Sequence, residues 1–150
     1  MAVRTHVRAS KGFSLIELMI AVVFIMISML ALLTAIVTSV RTNLENDLRN
    51  TAIRVTNQTA EALLALSIHP TIDPELTDGS HSRIAGNTTQ NEKGFPLTAQ
   101  TVRGSRQTYT IQWAVVSRTT NVKEITITVS YTSRNKPYTN TAVIYKHKVI

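Results

Sequence analysis

The fold of this chain is decided by residues 13–40, which read FSLIELMIAVVFIMISMLALLTAIVTSV. This apolar segment carries a single charge, that of Glu17. A membrane-spanning helix needs about 20 apolar residues, and residues 18–37 supply that length, interrupted only by Ser28 and Thr34. The sequence therefore predicts that residues 13–40 form an apolar helix able to cross a membrane.

The residues that precede the apolar segment are basic. Arg4, Arg8 and Lys11 lie among the first twelve residues, which contain no acidic side chain. Positively charged flanks stay on the cytoplasmic side of a membrane, so we expect a cytoplasmic N-terminus and an exported C-terminal part. The apolar segment is too long for an ordinary secretory signal, and no small-residue cleavage site interrupts it.

Glu17 needs an explanation of its own, because a carboxylate costs up to about 2.5–3.5 kcal/mol at the centre of a membrane helix and less near an interface. One interpretation is a capping box, in which Ser14 and Glu17 satisfy free backbone N–H groups at a helix start. The other is that Glu17 pairs with a cation in an apolar environment. The two residues alone leave both interpretations open.

The wider string, residues 11–21 (KGFSLIELMIA), resembles the class III signal of type IV prepilins and pseudopilins. The resemblance implies that a prepilin peptidase cuts between Gly12 and Phe13, removes residues 1–12 with their basic side chains as a leader peptide, and methylates the new N-terminus, Phe13. Glycine suits this role because it lacks a Cβ and lets an extended backbone enter a cleft closely. The resemblance also implies that Glu17 neutralises the N-terminal amine of a neighbouring subunit and sets the axial register of a filament.

Helical periodicity continues beyond the apolar segment. No Gly or Pro occurs between Gly12 and Pro70, and His69 followed by Pro70 then ends the helix, because the residue before a proline avoids the α region. Apolar or small residues recur every three or four positions, at Leu44, Leu48, Ala52, Val55, Thr59, Leu63 and Leu66. The pattern predicts one helix over about residues 14–67, whose second half, 41–67, belongs to the exported domain.

The pattern changes after the helix. Residues 68–107 are polar and contain most of the Gly and Pro residues, which indicates a loop region with one short strand near 95–102. Residues 108–150 alternate apolar with polar side chains, and predict a three-stranded antiparallel meander with turns at 118–121 and 133–137.

Together these elements predict an α+β fold, in which a long N-terminal α-helix packs its apolar stripe on a small antiparallel β-sheet. Trp113 and Tyr131 fall on the apolar side of that sheet, so we expect both in the core rather than on a binding platform. The type IV pilin fold, which the resemblance implies, has this architecture, and residues 41–150 would form its periplasmic domain.

Two features depart from many major pilins, since the apolar helix contains no proline and the chain contains no cysteine. The spacing of the C-terminal strands is instead most similar to that of V-type minor pilins, the pilus-modification type. The resemblance implies a structural minor pilin, not an enzyme, that passes from the inner membrane into a type IV pilus or primes its assembly. A type II secretion pseudopilin is the alternative. The implied partners are the prepilin peptidase, other pilin subunits and the inner-membrane assembly platform.

Other kinds of chemistry have little support in the sequence. Without cysteine, disulfides, thiol catalysis and cysteine-based zinc sites are excluded, and no catalytic or phosphate-binding motif occurs. We therefore expect no cofactor and no metal site. Asp73, Glu75 and Asp78 could hold Ca²⁺, but a solvated acidic turn is the favoured interpretation because the EF-hand spacing is missing.

The formal net charge of +7 offers one alternative of another class, a DNA-binding receptor of a DNA-uptake pilus. Its candidate contacts are scattered through the second half of the chain, at Arg103, Arg106, Arg118, Lys123 and Arg134. Because the basic residues form no long run, a solvated basic surface is favoured and nucleic-acid binding is not expected.

Overall fold

The computed structural model describes residues 12–68, 71–83 and 92–148. The predicted leader residues Arg4, Arg8 and Lys11 and the predicted helix stop at residues 69–70 lie outside the described residues. Besides short 3₁₀ turns at Pro74–Leu76 and Glu92–Gly94, the elements in chain order are α1 (Leu15–Ala65), β1 (Gly79–Arg83), β2 (Ala99–Val102), β3 (Ser105–Thr119), β4 (Val122–Ser133) and β5 (Lys136–His147).

Helix α1 confirms the prediction of one continuous helix through the apolar segment and the amphipathic stripe. It runs for 51 residues, and its ends lie close to the expected limits. The last carbonyl groups of a helix lack internal donors, and here the sheet supplies one. Lys146 Nζ donates to the carbonyl oxygen of Leu63 at 3.1 Å and also to that of Leu64. A cation is favourable at this position because the C-terminal end of a helix is negative.

The sheet is antiparallel and confirms the predicted meander. Among the described strands the order is β1–β3–β4–β5, and β2 pairs separately with the first residues of β3. Three hairpins among the described strands turn through only two residues. In two of them both residues have positive φ, namely Arg103 and Gly104 between β2 and β3, and Arg134 and Asn135 between β4 and β5. Two successive positive φ angles are typical of a type I′ turn, whose twist agrees with that of the flanking strands.

Three details of the sheet refine the sequence prediction. The short strand expected near 95–102 is β2, whereas β1 has no counterpart among the predicted strands. The sequence of β1, GSHSR, has no apolar alternation, and the strand forms by main-chain pairing with residues 111–115 of β3. The turn expected at 133–137 is narrower than that range, because Pro137 already lies in β5. An edge strand tolerates proline since one of its sides needs no donor.

The core lies between the C-terminal half of α1 and the inward faces of β3 and β4. The predicted stripe is confirmed, since α1 buries side chains at helical spacing from Leu48 to Leu63. Trp113 and Tyr131 are only 2% and 8% exposed and belong to the same core. The Tyr109 hydroxyl donates to the carbonyl oxygen of Leu48 at 3.1 Å, which joins sheet to helix without leaving a buried donor unsatisfied.

The chain divides into two compact units between Thr42 and Asn43. The apolar segment of α1 belongs to the first unit, whereas the core and the sheet belong to the second. The observed arrangement, one long N-terminal helix with an antiparallel sheet of five described strands, is the α+β class that the sequence predicts.

Candidate processing and assembly segment

The apolar half of α1 is exposed along its whole length. Every residue from 12 to 43 is exposed in the isolated chain, including Phe13 at 81% and Leu15 at 77%. Soluble monomers rarely expose contiguous apolar patches larger than a few hundred Å². By length and composition, α1 could cross a membrane. The segment therefore requires apolar surroundings that its own chain does not provide.

The predicted cleavage site lies in non-helical backbone. Residues 12–14 precede α1 and are exposed. A Cβ built on Gly12 would meet no atom within 4 Å, and the backbone of Gly12 lies outside the left-handed region that favours glycine. The described fold therefore makes no demand for glycine at this position, and a requirement for Gly12 would have to come from a partner outside the chain.

Glu17 lies in the first turn of α1. The carbonyl oxygen of Ser14 accepts hydrogen bonds from the backbone N–H groups of Glu17 at 3.0 Å and Leu18 at 3.2 Å, which makes Ser14 the N-cap residue. A capping box would add bonds from both side chains. Within the described residues, however, neither the Ser14 hydroxyl nor the Glu17 carboxylate makes a hydrogen bond. The carboxylate is thus exposed and available to another partner.

Asp73, Glu75 and Asp78, the three residues considered for Ca²⁺, each form an ion pair with a different basic residue. These pairs, with their N···O distances, are Asp73–Lys93 (2.7 Å), Glu75–Arg83 (3.9 Å) and Asp78–Lys123 (2.9 Å). The pKa of Asp78 lies below its ordinary value, first because Lys123 donates to it and second because the Ser117 hydroxyl does so. Each of the three carboxylates is therefore paired with a separate basic side chain.

Most of the basic residues considered for DNA binding are also paired. Four of the five form ion pairs, namely Arg103–Asp47, Arg118–Glu124, Lys123–Asp78 and Arg134–Glu45. Arg106 has no such partner in the described part of the chain. A carboxylate beside a cation weakens the positive field that would attract a phosphate backbone. Much of the charge assigned to a DNA interface is thus neutralised within the chain.

A groove that the sequence did not indicate lies in the second unit, between α1 and the β4–β5 hairpin. Its volume is about 370 Å³, and its lining includes Glu45 and Arg49 from α1 and Tyr131 and Tyr138 from the sheet. The two tyrosine rings are stacked, with centroids 5.4 Å apart and 14° between their planes. We call this feature the tyrosine groove.

The structure separates the predicted site residues into two sets. Gly12, Phe13 and Glu17 lie in one exposed segment at the start of α1, whereas the acidic and basic candidates are spread over the second unit, mostly in ion pairs. The three leader cations lie outside the described residues. Neither a model of a known protein family, nor a curated protein, nor a solved structure matches this chain.

Proposed function

We propose that this protein is the precursor of a type IV pilin-like subunit, most like a minor pilin, that is cleaved between Gly12 and Phe13 and assembled through α1. The observation that carries the proposal is an exposed, non-helical Gly12–Phe13 bond directly before an exposed apolar helix with one carboxylate, Glu17, in its first turn. The architecture of a long N-terminal helix with an antiparallel sheet is consistent with a pilin-like fold.

Cleavage would change the electrostatics of the N-terminal end. It removes Arg4, Arg8 and Lys11, the charges that would hold this end in the cytoplasm, and it leaves an α-amine on Phe13. An α-amine has a pKa of about 7.7–8.0 in ordinary surroundings, so it is largely protonated at neutral pH. It also lies near the positive end of the helix dipole. Burial in apolar surroundings favours the neutral form of an amine, so this amine stays charged there only beside a carboxylate.

Glu17 can supply that carboxylate. A buried charge is very costly alone and tolerable when it is paired and hydrogen-bonded. In the proposed filament, Glu17 of one subunit pairs with the Phe13 amine of a neighbour, and the pair fixes the axial register while the apolar faces of the helices pack together. The partners are then the prepilin peptidase, which cuts the precursor, the inner-membrane assembly platform and other pilin subunits.

The ion pairs of the second unit favour this structural role over a DNA receptor. Four of the five candidate cations already have a carboxylate partner, so their contribution to phosphate binding is reduced. A type II secretion pseudopilin would use the same N-terminal segment in the same way, and remains the alternative within the proposed family.

The proposal is tested by the N-terminus of the protein produced with a prepilin peptidase. N-terminal sequencing should find Phe13 first in the wild type, and Gly12→Val should retain the leader because its branched side chain obstructs the peptidase cleft. A Cβ at Gly12 meets no atom within 4 Å in the described part of the chain, so misfolding would not explain that failure. Thr42→Val, at an exposed helical position, is the control and should be cut normally. A wild-type start other than Phe13 would contradict the proposal.

A further inference from the structure

The tyrosine groove has the size and composition of a small-ligand site. Its volume of about 370 Å³ falls within the range of about 300–1,000 Å³ that is usual for ligand pockets. Tyr138 is 39% exposed although it stacks on Tyr131, so part of its aromatic surface faces solvent. Leu48 and Ala52 lie beneath the groove on α1, but they are only 5% and 0% exposed, so Tyr138 supplies most of its accessible apolar surface. An exposed aromatic ring suits a ligand that has an apolar face.

The groove also carries polar side chains whose hydrogen-bonding capacity the chain leaves unused. Asn46, Arg49, Ser133 and Thr139 line it, and within the described residues none of these side chains forms a hydrogen bond or an ion pair. Together they provide an amide, a guanidinium and two hydroxyl groups, and hence both donors and acceptors. Asn140 is fixed beside them, because its Nδ2 donates to a threonine hydroxyl of α1 at 2.8 Å.

The balance of charge in the groove disfavours a phosphate ligand. Arg49 is accompanied in the lining by Glu45, whose carboxylate lies 3.3 Å from the guanidinium of Arg134. Because Glu45 already engages Arg134, an anion would find one unpaired cation, Arg49, among the described residues that line the groove. A neutral ligand with many hydroxyl groups does not depend on a charge partner, and it can use donors and acceptors alike.

We propose that the tyrosine groove binds a neutral pyranose sugar. One face of a pyranose ring presents C–H groups, which can lie on the exposed surface of Tyr138. The hydroxyl groups at the edge of the ring can exchange hydrogen bonds with Arg49, Asn46 and Glu45. This activity is independent of cleavage at Gly12 and of assembly through α1, since every residue that carries it belongs to the second unit.

The test is saturation-transfer difference NMR on the full chain in lipid nanodiscs, because glycosidic detergents would themselves offer a sugar to the groove. The probes are the methyl glycosides of glucose, galactose, mannose and N-acetylglucosamine, each alone, and a short oligothymidylate. The ring protons of at least one glycoside should receive saturation. Tyr138→Ala should reduce that signal to the level of empty nanodiscs, Arg49→Ala should weaken it, and Tyr138→Phe should retain it.

Tyr145→Ala is the matched control, because Tyr145 is an aromatic residue of the same strand, is 56% exposed and does not line the groove. Its sugar signal should equal that of the wild type. The proposal is overturned if no glycoside receives saturation, or if the signal survives in Tyr138→Ala. It is equally overturned if only oligothymidylate binds and Tyr138→Ala abolishes that binding, because the groove then accepts nucleobases. Near-ultraviolet circular dichroism of each variant verifies the fold.

Discussion

Trp113 allows a quantitative test of how the core is held together. Its side chain is 2% exposed and stacks with Phe95 and His81 at centroid distances of 5.2 and 5.6 Å. Its Nε1 donates to the carbonyl oxygen of Glu75 at 2.9 Å. Truncation of a buried aromatic side chain to alanine costs about 3–5 kcal/mol, because contacts are lost and a cavity remains. Trp113→Ala should therefore raise the unfolding equilibrium constant about a hundredfold to a few thousandfold.

The assay is guanidinium unfolding of the full chain in a non-denaturing detergent, followed by near-ultraviolet circular dichroism of the tyrosines. Tyr109 and Tyr131 are suitable reporters, because their rings lie 5.4 Å apart in the core. Trp113→Phe keeps a ring and should cost less than Trp113→Ala. Tyr145→Ala, at a position that is 56% exposed, loses a hydrogen bond to Glu124 but leaves no core cavity, so it should cost much less than Trp113→Ala. An unchanged midpoint and slope in Trp113→Ala would refute the reasoning.

Three further predictions concern charged groups. Glu17→Gln keeps a side chain able to cap but loses the negative charge. With a wild-type pilin set the variant should be cleaved yet depleted from sheared filaments, since breaking a buried ion pair costs about 3–5 kcal/mol. Normal incorporation would show that the charge of Glu17 is not needed for assembly. The pKa of Asp78 is lowered, so its contribution to stability is present above the unfolded value of 3.8 and is lost as pH falls through the lower folded value. Asp78→Asn should therefore lose stability less steeply than the wild type below pH 3.8 in acid unfolding followed by circular dichroism, and superimposable curves would count against this assignment. Lys146→Met should destabilise the chain by about 1 kcal/mol in guanidinium unfolding. Buried carbonyl groups left without a donor cost about 1–3 kcal/mol, and removal of the buried charge offsets part of this by removing its desolvation penalty. Lys146→Arg should recover part of the loss, and equal stability of the Met variant and the wild type would contradict the capping role.

Side-chain periodicity made the helix and the three long strands predictable. The stripe from Leu48 to Leu63 and the alternation around Trp113 mark the faces that the structure buries. β1 could not be predicted in the same way, because its formation depends on main-chain pairing with an edge that exists only once β3 is in place. The turn at 133–137 was predicted, but its narrowing to Arg134 and Asn135 was not, since their positive φ angles occur without the glycine that usually signals a two-residue turn.

The candidate processing segment was readable from the sequence because it is contiguous. Gly12, Phe13 and Glu17 need no tertiary structure to bring them together. The tyrosine groove is the opposite case, since Arg49 and Tyr138 are distant in the chain and become neighbours only when β5 packs beside α1. Local sequence could assign each of these two residues to an element, but it contains no information on which element would lie opposite.

The contact between Lys146 and the end of α1 also determines when the fold can be completed. Lys146 lies 83 residues beyond Leu63, whose carbonyl group it meets, so a ribosome produces the end of the helix long before its cap. Until β5 arrives, the last carbonyls of α1 lack this donor and the free edge of β4 is unpaired. A nascent chain stalled before β5 is made would therefore expose an open sheet edge and a fraying helix, the surfaces through which incomplete chains aggregate.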